Sequence, residues 1–231
     1  MDWQGLAIYA VAFLLSLTVH ECAHAWTAAR LGDLTGAALG RVSLNPIRHI
    51  DPFGTIVLPL VLWWASHGAV MFGYAKPVPY NAYALRNPPL GSATIAAAGP
   101  LSNLALAVAA AISLGALTPH ASEIPWGVFD PFNAHSPIRW PSLGQQLFYT
   151  VMYLNVLLAC LNLVPCPPLD GGTVLAGLLP AGARRAFAQV ERYGFIIFLA
   201  LMYTGMLNRL LGPVVAAVQS QLLHLGGIRR G

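Results

Sequence analysis

Two histidines and a glutamate stand within SLTVHECAHAW, residues 16–26, inside an otherwise apolar run. On a helix, residues four apart lie about 40° apart around the axis and one turn apart along it. His20 and His24 can therefore reach one cation from the same face. Glu21, the neighbour of the first histidine, falls beside that cation rather than behind it. Two neutral imidazoles plus a carboxylate or a third imidazole suit zinc, with the fourth position left open to water. Zinc lowers the pKa of such a water towards about 7, and an adjacent carboxylate can take its proton. Attack of that water on a carbonyl carbon is amide hydrolysis. The competing reading, in which His20 and His24 are polar glue between helices, leaves Glu21 unexplained. Burying all three in a membrane helix costs on the order of several kcal/mol unless they are paired or bound to something.

The composition says what solvent surrounds this helix. Hydrophobic residues make up 57% of the 231 residues and charged ones only 9%, against about 25% charged in a soluble domain. Mean hydropathy is +0.63. One core of this size cannot hide so much apolar surface, so the chain is read as an integral membrane protein in contact with the lipid bilayer. The net charge of +4 comes from scattered arginines and a single lysine, Lys76, which orient loops rather than bind nucleic acid. Three cysteines, Cys22, Cys160 and Cys166, have no regular spacing and form no disulfide framework. The acidic start, MDW, is unlike the basic opening of a secretory leader.

The spacing of Gly and Pro divides the chain into elements. Residues 4–30 read as one spanning helix ending at Gly32. Residues 53–66 are apolar but short, with Pro59 at their centre, and read as a re-entrant piece. Residues 70–81, cut by Gly and Pro, read as an edge strand or a hairpin. Further spans are expected at 90–118, 143–164 and 187–208, with a proline-rich loop at 119–141 and a short apolar tail at 210–225. The expected fold is an all-α polytopic membrane protein. It has about four to six transmembrane helices, a re-entrant segment, and a short β hairpin or edge strand between helices one and two. All of this forms one domain, residues 1–231, with a core over 4–180 and C-terminal helices over 187–225.

A third ligand has to come from elsewhere. Asp170 stands out because it follows a spanning helix broken by Pro165, Pro167 and Pro168 and precedes Gly171 and Gly172. Irregular backbone of this kind is tolerated in a membrane where it lines a protein cavity. Read alone, the same residues make a plain turn. Arg30, Arg41 and Arg48 follow the first helix, and Arg184, Arg185 and Arg192 follow the third. The positive-inside rule puts both loops in the cytoplasm, so His24 and Asp170 share a depth only if 53–66 makes no net crossing. Asp51 and His49 return to the same face and are rival ligands, and Cys166 is a chemically possible one.

Three motifs in order resemble the site-2 protease family, the M50 membrane-embedded zinc metallopeptidases: HECAH (20–24), AGPLSN (98–103) and NLVPCPPLDGG (162–172). FGYAKPVPYN (72–81) is similar to the stretch between them in compact bacterial members, and the resemblance covers about residues 8–180. It implies one zinc per chain held by His20, His24 and Asp170, with Glu21 as base. It also makes Asn103, and less strongly Asn162, a candidate for holding substrate or stabilising an oxyanion. For Asn103 the alternative is helix–helix hydrogen bonding. The implied substrate is a single-span membrane protein, cut in or near its transmembrane helix. The implied setting is a prokaryotic plasma membrane, with the active site towards the cytoplasm. A PDZ or CBS domain, found in larger members, is not expected. Two other classes are an intramembrane metal transporter, against which no internal repeat is found, and a relative that binds transmembrane partners without cleaving them, against which Glu21 is intact.

Overall fold

A computed structural model describes residues 3–65, 73–118 and 142–228. Helix α1 (Trp3–Arg30) runs unbroken for 28 residues, about 42 Å at 1.5 Å per residue. It stops where Gly32 takes φ +105°. A short turn, α2 (Thr35–Ala38), and irregular loops follow. The segment Pro52–Val57 is π-helical and continues into α3 (Leu58–Ala65). These 14 residues are too few to cross a hydrocarbon core of about 30 Å.

Helix α4 (Pro88–Ala116) begins where the Asn87 side chain accepts from Leu90 N, with proline in its first turn. Proline is well placed there because its missing N–H has no partner in a helix anyway. Helix α5 (Leu143–Asn162) is capped by Ser142. Helices α1, α4 and α5 are long and apolar enough to cross a membrane and pack on one another. Ala107, Ala110 and Ala111 of α4 meet Ala12 of α1 and Met152 and Val156 of α5. Small residues let the backbones approach closely, which is how helices associate where lipid is as apolar as leucine.

The chain continues through α6 (Asp170–Leu178), α7 (Ala181–Glu191), α8 (Gly194–Tyr203) and α9 (Met206–Leu225). Helix α6 lies against α4. It seats there because Gly171 faces the carbonyls of Val164 and Leu163, and Gly177 faces Pro89 and Ala93, leaving no room for a Cβ at either position. Asp170, the first residue of α6, is thereby carried towards α1.

Three sequence expectations change. The hairpin or edge strand does not form: residues 73–81 are extended, and no strand is present among the described residues. Pro77 and Pro79 lack the N–H groups a ladder needs, and the neighbours are a π-helical turn and a loop. Tyr74 N donates to Gly54 O (3.0 Å) and Lys76 N to His49 O (2.9 Å). The continuous span over 187–208 is instead α7 and α8, bent by 62°, followed by a second break. Gly194 packs on Pro167, and Gly205 adopts φ +67° between α8 and α9. Among the described residues three helices, or four if the bent pair counts as one span, are long and apolar enough to cross, against the four to six expected. The tail is a 20-residue helix, α9, packed on α4 and α5 through Leu222 and Leu223. The expected loop at 119–141 lies outside the described residues.

Candidate metal centre

His20 and His24, on successive turns of α1, point their Nε2 atoms at each other and at Asp170. His24 Nε2 lies 3.0 Å from His20 Nε2. Asp170 Oδ2 is 3.1 Å from His20 Nε2 and 3.5 Å from His24 Nε2. Among the described residues, these three form the one group of His, Cys, Asp or Glu side chains close enough to share an ion.

The other face of each ring fixes where its proton sits. His24 Nδ1 donates to the Ile95 carbonyl at 2.7 Å. A carbonyl only accepts, so Nδ1 holds a hydrogen, and in the neutral ring Nε2 holds the lone pair. His20 Nδ1 is 2.6 Å from Asn103 Oδ1. The orientation of that amide follows from its other contacts: Asn103 Nδ2 donates to Ser16 O (3.2 Å) and to Asn155 Oδ1 (2.7 Å). The oxygen therefore faces His20, and His20 Nε2 also carries a lone pair. With both rings neutral, two imidazole lone pairs and a carboxylate oxygen thus converge. Asp170 Oδ2 is buried and has no hydrogen-bond donor. Such a set is repulsive alone and needs a cation. Two nitrogens and one oxygen at these separations match the roughly 3.3 Å edge of a tetrahedron around zinc with bonds of about 2.0–2.1 Å, so the donor set fits that metal.

Helix α4 makes the site possible at Gly99. A Cβ there would sit 2.5 Å from His24 Nε2 and 2.6 Å from His20 Cε1. The two rings, at 87° to each other, can approach the α4 backbone this closely because that residue has no side chain. Pro100 follows, and its missing N–H leaves the Ala96 carbonyl without its usual helical donor.

In front of the three ligand atoms lies a cavity of about 450 Å³. Glu21 and Asn162 line it, as do Tyr74, Ala75 and Val78 of the extended segment. Asn162 Nδ2 donates to Leu158 O (3.0 Å), which leaves its second amide hydrogen uncommitted among the described residues. Asn103 is fully buried behind the rings and does not line the cavity. The rivals for third ligand lie outside this group. Asp51 accepts from Gly54 N at 2.7 Å, His49 Nε2 donates to Ser43 O at 2.8 Å, and Cys166 Sγ donates to Pro167 O.

The chain matches the family model of Peptidase family M50 over residues 8–205. It belongs to that family. A Bacillus subtilis protein named "Putative zinc metalloprotease YwhC" is 35% identical over 216 residues, covering 93% of this chain and 89% of the relative. The Rip2 protein of Mycolicibacterium smegmatis, named in the same terms, is 30% identical over 235 residues, covering 98% of this chain and 81% of the relative. No solved structure matches. This M50 chain is a zinc metalloendopeptidase of the compact site-2 protease type and an integral membrane protein.

Sequence reasoning missed Gly99 and Asn155. The Gly-Pro pair inside an Ala-rich helix and a lone asparagine among MYLNVLL were their signals. Neither shows its partner, because Asn155 meets Ser16 139 residues away.

Proposed function

We propose that the chain cleaves a peptide bond in or near the transmembrane helix of a single-span membrane protein. His20, His24 and Asp170 hold one zinc ion, and Glu21 is the general base. The observation that carries this reading is the convergence of three ligand atoms at a cavity that Glu21 also lines. Zinc bound there supplies Lewis acidity to a water and to the scissile carbonyl. Glu21 accepts the water's proton on a carboxylate oxygen and returns it to the leaving amine. Asn162, with a free amide hydrogen at the cavity, donates to the oxygen that gains negative charge.

A substrate helix hides its carbonyls in its own hydrogen bonds, so it must unwind locally before cleavage. The segment 73–81 suits an unwound chain. The N–H and C=O of Tyr74 and Lys76 are tied inwards, to Gly54, His49, Thr55 and Arg41, while Ala75, between them, lines the cavity. The arginines after α1 and in α7 orient these ends to the cytoplasm of a prokaryotic cell, with Pro52–Ala65 returning to the side it entered.

The test is zinc analysis of the purified protein with cleavage of a panel of single-span peptides in detergent or nanodiscs. Glu21→Gln should retain zinc and lose cleavage, while His24→Ala should lose both. Cleavage by Glu21→Gln at the wild-type rate would overturn the assignment.

A further inference from the structure

We infer that Asn155 is a positioning residue for the metal centre: it fixes, through Asn103, which nitrogen of His20 carries the proton. The inference rests on the assignment of His20 as a zinc ligand. Asn155 sits on α5 between Leu154 and Val156 and is fully buried. It touches neither the cavity nor the ligand atoms. A primary amide at such a depth is costly unless every polar atom is matched, and here each is. Asn155 Nδ2 donates to Val151 O (2.8 Å) and to Ser16 Oγ (2.7 Å), and Oδ1 accepts from Asn103 Nδ2.

The chain of bonds has one direction. His20 donates to Asn103, Asn103 to Asn155, Asn155 to Ser16, and Ser16 Oγ to Ala12 O at 2.6 Å. It leaves α1, passes through α4 and α5, and returns to α1. Backbone carbonyls fix its sense at three points: Ala12 O, Val151 O and Ser16 O can only accept. Ser16 has spent its hydrogen on Ala12, so towards Asn155 it can only accept. Asn155 must then present its amide to Ser16 and its oxygen to Asn103. Asn103 must in turn present its oxygen to His20. The last link holds the proton on His20 Nδ1 and leaves Nε2 free to bind metal.

Without the Asn155 oxygen, Asn103 keeps only the longer bond to Ser16 O. Its amide can then rotate and offer Nδ2 to His20 Nδ1, favouring the tautomer whose Nε2 carries hydrogen and cannot ligate. Groups that orient a ligating histidine typically contribute 10–100-fold to metal affinity.

Packing alone would also connect α1, α4 and α5, so the experiment has to separate the two roles. Zinc affinity is measured by chelator competition for wild type, Asn103→Leu, Asn155→Leu and the double variant, with cobalt-substituted absorption spectra and the thermal stability of the metal-free proteins. Asn155→Leu is expected to weaken zinc about 10-fold and to shift the cobalt spectrum. In the double variant, affinity is expected to match Asn103→Leu alone, because both substitutions cut one chain. Losses that multiply, or unchanged affinity and spectrum in Asn155→Leu with only stability reduced, would overturn the inference. If Asn155→Leu does not fold, Ser16→Ala in the same cycle serves. It removes the acceptor that orients Asn155 and changes little volume, and its smaller loss of affinity should likewise vanish in the Asn103→Leu background. Absence of zinc from the wild type, or its retention by His20→Ala, would instead refute the ligand assignment.

Discussion

Behind His20 and His24 each Nδ1 hydrogen has an acceptor, and the acceptors are anchored to helix backbone. In front, the Nε2 atoms meet each other, Asp170 and a cavity of about 450 Å³. The back is saturated with hydrogen bonds and closed. The front concentrates lone pairs, a carboxylate and open volume. Two histidines on one helix face thus divide a region that sets geometry from one where the proposed chemistry would take place, and the same residue type has opposite consequences on the two sides. Asparagine shows this directly. Asn103 and Asn162 look alike in sequence, yet one is fully engaged behind the rings and the other lines the space before them.

Substitutions can break this division, the largest effects lying at the front. His24→Ala should reduce zinc from one ion per chain to near none. Glu21→Gln should keep the ion and slow hydrolysis by about 10²–10⁴-fold, read in single-turnover cleavage. Gly99→Ala acts from the back: its Cβ would meet both rings, so zinc affinity and cleavage should fall together, followed by chelator competition. The two asparagines give the sharpest contrast. Asn162→Ala should cut kcat by about 10²-fold with zinc affinity unchanged, whereas Asn103→Ala should weaken zinc by about 10–100-fold. If the two variants behaved alike, front and back would not be distinct.

The smallest effect lies farthest from the ion. Asp33 ties the end of the extended segment, accepting from Asn81 N (3.0 Å), Thr35 Oγ1 (2.6 Å) and Thr35 N (3.2 Å). Burial alone would raise its pKa, but these bonds outweigh burial and hold the carboxyl below its ordinary value. A depressed folded pKa gives stability that is fully present above the unfolded value of about 3.9 and is lost as pH falls through the folded one. Asp33→Asn should therefore lower Tm by a few degrees at neutral pH, and the gap should close in acid.

The site was legible where one helix turn or one motif carries it. The four-residue spacing of His20 and His24 is a property of α1 itself, and the proline and glycine pattern around Asp170 announced an irregular backbone. What remained hidden depends on contacts between distant segments. The break near Gly194 follows from its seat on Pro167, and the seating of α6 follows from the facing carbonyls of Leu163 and Val164. The stretch 73–81 has strand-like residues, but whether it pairs depends on neighbours that proved to be a π-helical turn and a loop. Asn155 looks like an isolated polar residue until α1 and α4 are brought beside it.

Asp170 reaches the histidines from a different helix, late in the chain, and that separation has a consequence in time. During synthesis at about 5–20 residues per second, roughly 7–30 seconds pass between the appearance of His24 and that of Asp170. Throughout that interval the nascent protein holds two imidazoles and the Glu21 carboxylate without Asp170. The group of three is completed only after α5 has been laid down and the turn at 163–169 has closed, so on the proposed function an unfinished or truncated chain is unarmed while it is being made.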